Sequence, residues 1–504
     1  MLRKLLYASA LILLLSIFLS PRLPFQDYPD WIYQAKVLKE IIQNNPESTQ
    51  YFWVKSNFIP NSLTTTVLSL MSFLMPVDLA GRFFVAISLI LLFLGIRGFL
   101  HAGIGNNQLS DVIGTVMAPS MFFFSGLLSF NLGIALFFIF FFVIKIPEGR
   151  ISRILYYMIV LIILFYVHFL ILFFVLSNLL FRVIFYRDKR VPSFVDSILC
   201  IIPVIVLSFL YLSGPSGDLQ SQTSWHYSIL FKINSFFKTF AIAYSFNDIT
   251  PPLVEFLFII LNTLWIVFLF WLLVYLMGGN LRKAVGSDRL VYGASCILIG
   301  LVTPHWIRGM GNMDVRFYWL GAIFLLGAGF GLGRKLGPRI VKSALLAGAL
   351  ILIMKSGLIM FQGIAERNFE VGLKKAIPEN TRFHPVMISL EFPEYHPEKS
   401  GIRGIISRMC AKTTPRVRTP IYLLMERNMV YSNIFRTGML DTAPLKCDLK
   451  SLIENGIRKK DDNCGIFLFV SPSGFTDHFM KLLGDHFFTL SRGQGFILAE
   501  PALR

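Results

Sequence analysis

Two carboxylates open the first sizeable polar stretch of this chain. Asp27 and Asp30 stand in Gln26-Asp27-Tyr28-Pro29-Asp30-Trp31, just after a hydrophobic segment. A carboxylate near a bilayer is costly to hold, so its presence there points to function. The chemistry it could do is general base catalysis: a hydroxyl is a poor nucleophile until a positioned base takes its proton. Each aspartate also has a plainer reading. Trp31, Ile32, Ala35, Val37, Leu38, Ile41 and Ile42 recur at helical spacing, which predicts a surface-lying amphipathic helix from about Asp30. Asp30 would then serve as its N-cap, and Asp27 as a solvated loop residue.

Cations that could meet a phosphate are spread along the chain. Arg308 and Arg316 flank a short loop before an apolar run, and a guanidinium holds phosphate through paired hydrogen bonds. Arg316 could equally snorkel at a helix end. His305 is a weaker candidate for the same task. Arg82 begins another apolar run and could face the same cavity. His168 sits inside a long apolar run, where capping a turn competes with chemistry. Lys355 lies two-thirds along the last apolar run, as a headgroup anchor first and a phosphate ligand second. Trp225, His226, Tyr227, Lys232, Phe236, Phe237 and Lys238 mix aromatics with cations, which suits a membrane interface.

The elements that must position these groups are membrane helices. Charged residues are only 15% of the chain and hydrophobic residues 55%, against roughly 25% charged in soluble domains. Apolar runs long enough to cross a bilayer recur from Lys4 to Gly363. The formal charge of +18 invites a nucleic-acid reading, but the basic residues cluster in short loops between apolar runs. That is the positive-inside pattern, with anionic lipid as a further partner, and it excludes nucleic acid. Residues 5–20 read as an uncleaved first helix, because Phe18-Leu19-Ser20 lacks a small-x-small cleavage pattern. Spans are predicted at 80–97, 112–127, 129–146, 193–213, 253–277, 288–303, 316–333 and 341–362. The run 154–186 exceeds the ~20 residues of one crossing and predicts a hairpin turning near His168. Residues 61–76 predict a re-entrant or interfacial helix. The count is about eleven spans, with the N-terminus inside, the first loop 21–79 and the loop 214–252 outside, and the C-terminus outside.

Residues 1–364 form the membrane domain on this reading, and 365–504 a separate outer α/β domain. In the latter, Ile421–Met425 and Gly465–Val470 predict strands, Thr476–Leu483 a helix, and Phe487–Ser491 with Gly495–Ala499 a hairpin. Cys410, Cys447 and Cys464 in this region allow at most one internal disulfide. No Walker A loop, dinucleotide-binding glycine pattern, HExxH or GxSxG occurs.

A first helix, an outer loop opening on a carboxylate and carrying amphipathic helices, many spans and an outer C-terminal domain resemble the GT-C class of membrane glycosyltransferases. The Gly126–Gly133 stretch with Asn131, and Asp314, Arg316 and Phe317, add to the likeness. The resemblance implies a polyprenyl-phosphate-linked sugar donor and an acceptor hydroxyl on a glycan, lipid or protein. It implies Asp27 as the catalytic base, with Asp30 second. Compact loops and the absence of a retention signal point to a bacterial cytoplasmic membrane. The second outer loop carries no obvious DxD or ExD, so a divalent metal stays an open requirement. The competing class is a transporter or lipid flippase without ATPase activity. The strong asymmetry between the two halves of the chain weighs against it.

Overall fold

The computed structural model describes residues 1–54, 59–101, 107–185, 193–213, 229–246, 252–278, 287–305, 312–332 and 336–377. In the C-terminal region it describes 383–387, 411–413, 420–426, 440–442, 466–470, 487–493 and 496–501. Helix α1 is Leu2–Leu19, α2 Tyr28–Ile42, α3 Pro46–Tyr51, α4 Ser62–Ser72 and α5 Val77–His101. There follow α6 Asn107–Met117, α7 Met121–Phe124, α8 Leu128–Phe138 with a π-helical turn over Ile139–Val143, α9 Arg150–Val167 and α10 Phe169–Phe185. The remaining helices are α11 Phe194–Ser213, α12 Ile229–Thr239, α13 Pro252–Met277, α14 Asp288–Val302, α15 Met313–Gly331, α16 Pro338–Ala376 and α17 Pro420–Glu426.

Among the described residues seven helices (α1, α5, α9, α11, α13, α15 and α16) are long and apolar enough to cross a membrane. Two shorter apolar helices, Leu128–Val143 and Phe169–Val183, accompany them. The chain is therefore a helical, multi-pass membrane protein. The central helix is α15, buried over nearly all its length. The outer face of α13 carries exposed Leu264, Val267, Phe270 and Val274, as a lipid-facing helix should. Helix α14 approaches α15 closely at Gly293 and Gly321, where a methyl on Gly293 would lie 2.9 Å from the Gly321 carbonyl oxygen. Small residues at such crossings let backbones pack without a side chain between them.

The break inside the run 154–186 falls at His168, whose backbone is extended between α9 and α10. Helix α4 has 11 residues. At 1.5 Å per residue it reaches only about 16 Å, too short to span, in keeping with an interfacial element. Two boundaries differ from expectation. The run 112–127 is not one helix: α6 stops at Met117, and Pro119 and Gly126 frame a turn that carries α7. Helix α16 does not end near 362 but runs to Ala376, so the expected domain boundary at 365 lies inside a continuous helix. Glu366, Phe369, Glu370 and Leu373 keep helical spacing on its buried side, and these charges had read as the end of a span.

In the C-terminal region β1 (Phe383–Met387), β2 (Ile466–Val470), β4 (Phe496–Pro501) and β3 (Phe487–Gly493) form one sheet in that order. β1 is parallel to β2, and β3 and β4 pair antiparallel as the expected hairpin. Residues 421–425 are helical rather than a strand, since they lie in α17. A short apolar run cannot by periodicity alone be assigned to either. Thr476–Leu483 and the three C-terminal cysteines lie outside the described residues. A second core joins Tyr33, Val37 and Leu38 of α2 to Phe369 and Leu373 of α16, Ile421 and Leu424 of α17, and Leu468 and Phe496 of the sheet.

Arginines tie the helices together at one end of the bundle. The buried Asp111 carboxylate takes Arg3 at 2.7 Å and Arg97 at 2.5 Å, and Arg150 holds Asp196 at 2.9 Å. Arg289 stacks on Phe99, 4.6 Å from its centroid. The candidate site lies at the other end.

Candidate functional site

Helix α2 begins at Tyr28, two residues before the expected start, with Pro29 in its first turn. Asp27 therefore occupies the N-cap position, yet its side chain makes no capping hydrogen bond. It is half-buried, and Asp30, one turn on, is 2% exposed. Neither the solvated-loop reading of Asp27 nor the N-cap reading of Asp30 matches this placement.

The turn between α6 and α8 fixes the backbone at Asp27. Gln26 N–H donates to the Phe124 carbonyl at 3.2 Å, and Asp27 N–H to that of Ser125 at 3.1 Å. The Trp31 indole N–H donates to the Gly126 carbonyl at 3.1 Å. Gly126 has φ +72°, and a methyl there would sit 2.8 Å from both Asp27 N and Tyr28 N. Only glycine fits this left-handed, close-packed position. From the other side the Tyr28 hydroxyl donates to the Asp78 carbonyl at 2.8 Å, tying α2 to the start of α5.

Arg316 reaches the same place from the first turn of α15. It is 4% exposed, so it does not snorkel. The Asp27 carboxylate acts electrostatically on its guanidinium, although the two are far apart in the chain. The guanidinium lies over the Phe130 ring, 4.7 Å from its centroid, and Nη1 is 3.5 Å from His168 Nε2. Its Nε is buried without a hydrogen-bond partner among the described residues. His168 accepts the Leu170 N–H on Nδ1 at 3.2 Å, which is the turn-capping role expected of it. With Nδ1 accepting, a neutral ring carries its proton on Nε2, and Arg316 keeps its donors for another acceptor. The His168 ring also meets Phe130 edge-on at 5.4 Å. One helical turn beyond Arg316, the buried Trp319 Nε1 is likewise unpartnered. Two donors on one helix face, above a floor of aromatic rings, suit an acceptor-rich anion.

The other expected residues fall elsewhere. Arg82 donates to Asp78 at 2.8 Å and to the carbonyls of Ile17, Phe18 and Ser20 at 2.7, 3.0 and 2.7 Å. It closes the C-terminal end of α1, which leaves orphan carbonyls that a cation satisfies. Lys355 is fully buried rather than anchored at headgroups, and it donates to the carbonyls of Val116 and Pro119 at 3.0 and 2.6 Å. Both residues belong to the scaffold rather than to a phosphate site. His305 pairs through Nδ1 with Asp314 at 2.7 Å. Arg308 lies outside the described residues, as do Trp225, His226 and Tyr227.

Asp314 has a role that its place in the sequence does not show. Fully buried, it takes Lys232 at 3.1 Å, His305 at 2.7 Å and the Val315 N–H at 2.9 Å. Lys232 and Phe236 are thus not interface anchors: Phe236 packs on Tyr318 at 5.6 Å. This cluster fastens α12 and the chain before α15 to the turn that bears Arg316. Only a Lys–Asp pairing across the fold reveals it, which spacing along the chain cannot.

Arg22 lies five residues before Asp27. It holds Glu370 through Nε at 2.6 Å and Nη2 at 2.9 Å, and stacks on Tyr422 of α17 at 4.3 Å. Burial works against its charge, but the Glu370 carboxylate outweighs it and holds the guanidinium above its ordinary range. Among the described residues no three His, Cys, Asp or Glu side chains gather as a metal site. Comparison with protein-family models, curated proteins and solved structures finds no match to this chain.

Proposed function

We propose that the chain is an integral membrane glycosyltransferase that uses a polyprenyl-phosphate-linked sugar. The observation that supports this reading is one packed turn: it holds the Asp27 backbone through Ser125, and its Phe122 meets Trp319 at 6.1 Å and Phe130, the ring under Arg316, at 4.7 Å. Asp27 takes the proton of an acceptor hydroxyl. The freed oxygen attacks the anomeric carbon as the bond from that carbon to the lipid phosphate oxygen breaks. The polyprenyl phosphate leaves with the negative charge, which Arg316 neutralises, with the Trp319 N–H in reach of the same anion. The acceptor hydroxyl belongs to a glycan, lipid or protein, and the donor arrives laterally through the membrane.

Orientation belongs to the same proposal. Arg3, Arg97, Arg150 and Arg289 crowd the opposite end, which by the positive-inside rule is cytoplasmic. The site end and the C-terminal sheet then face outward, in a bacterial cytoplasmic membrane with about eleven spans. The four-stranded sheet with α17 supports an outer α/β domain that helps bind the acceptor. Asp27→Asn preserves shape and removes the base. Its expected result is loss of transfer of a labelled sugar from lipid-linked donor, with an unchanged melting temperature. Normal transfer by a well-folded Asp27→Asn protein would overturn the assignment.

A further inference from the structure

Resting on that reading, we infer that the stripe of α2 running from Asp27 through Asp30 to Gln34 is the acceptor subsite, and that its ligand is an uncharged, hydroxyl-rich segment such as a glycan chain. At 100° per residue Asp30 lies about 60° and Gln34 about 20° from the direction of Asp27. The three therefore share one narrow face over about 10 Å, the length of roughly two sugar rings. Gln34 is fully buried, and among the described residues neither its amide oxygen nor its amide nitrogen has a hydrogen-bond partner. A buried amide without partners costs stability, and a ligand that paired with Gln34 would recover that cost. An amide offers donors and an acceptor together, which matches a hydroxyl and not a phosphate.

A second helix adds groups of the same kind. Helix α4 packs along α2 and buries Thr64, Thr65, Ser69 and Ser72. Thr64 Oγ1 and Ser69 Oγ have no hydrogen-bond partners among the described residues. Asn61, at the start of α4, accepts the Phe169 N–H at 3.0 Å, which ties this helix to the break beside His168. The neutral polar groups thus belong to α2 and α4, and the cationic donors to α15. Asp27 stands where the two sets meet, as a base must if acceptor lies on one side and lipid phosphate on the other.

The test is Gln34→Leu in the full-length protein, read in two ways. Transfer kinetics are measured with lipid-linked donor. Binding is measured without donor, using oligosaccharides of two to six sugars from partial hydrolysis of the producing cell's envelope polysaccharide. The expected result is at least a tenfold rise in acceptor KM, donor KM within twofold, an equal or higher melting temperature, and an equal loss of oligosaccharide binding. Asp27→Asn should keep that binding while losing transfer. Wild-type binding without transfer would leave the subsite and remove the enzyme reading. Wild-type transfer with no change of acceptor KM in Gln34→Leu would remove the subsite and leave the enzyme. Neither binding nor transfer by the wild type would overturn both.

Discussion

Replacing Gly126 with alanine strikes the site without touching a reacting group. The added methyl would lie 2.8 Å from Asp27 N and Tyr28 N, so that backbone must retreat by about 0.6 Å to reach ordinary contact. The φ of +72° adds about 1–2 kcal/mol of strain, because a Cβ crowds the carbonyl there. The contact atoms are backbone, which cannot swing aside as a side-chain tip can. The hydrogen bonds from Gln26 and Asp27 to the same turn move with it. A reacting group displaced by about 1 Å loses on the order of 100-fold in rate, so 0.6 Å predicts a loss on the order of tenfold in kcat. The donor KM should stay within twofold, since Arg316 reaches the site from another helix. The assay is transfer of radiolabelled sugar from lipid-linked donor in detergent, beside a thermal melt. Gly357→Ala is the matched control, for a methyl there meets nothing within 4 Å. A Gly126→Ala protein with a lowered melting temperature but unchanged kcat would show that the position of Asp27 does not limit the reaction.

Arg82→Met should unfold more easily by about 2–4 kcal/mol, because three carbonyls at the C-terminal end of α1, that of Ser20 just past it included, lose their donor. Its donor KM should not move; a tenfold rise without loss of stability would return Arg82 to the phosphate. Arg22→Met should cost about 1–3 kcal/mol, since Glu370 keeps Arg367 at 2.9 Å but loses its paired hydrogen bonds. Hydrogen exchange in α17 should speed up in that variant, and unchanged protection there would show that Arg22 does not hold the helix.

The helices were legible because apolar length is a direct physical signal: a run must cross about 30 Å of hydrocarbon. The same arithmetic located the break at His168, since 154–186 is too long for one crossing and too polar-free for a loop. What length cannot tell is where a span stops being membrane and stays helix. Glu366 and Glu370 looked like an exit, but they face Arg22 and Gln362 inside the protein. Nor can it tell a scaffold cation from a ligand. Arg82, Lys355 and Arg316 all look alike in sequence, as single charges at or in apolar runs. Whether backbone carbonyls already claim their donors decides between them, and those carbonyls belong to distant helices. Asp27 was legible from its place after the first helix, but its bond to the 118–128 turn was not.

The division of the site follows from what burial permits. A lone guanidinium in a low-dielectric interior is costly, and Arg316 is tolerated because Phe130 and the Asp27 charge offset part of that cost. With an anion bound, the buried guanidinium gains charge-assisted hydrogen bonds, so part of the cost of burying it is recovered on donor binding. Arg316→Gln keeps a hydrogen-bond donor but removes the charge. Its donor KM should rise on the order of tenfold, the loss of about one charge-assisted hydrogen bond, while the acceptor KM stays within about twofold. The measurement is transfer kinetics over a range of lipid-linked donor, beside a thermal melt. A well-folded Arg316→Gln protein with unchanged donor KM and kcat would refute the phosphate role of Arg316.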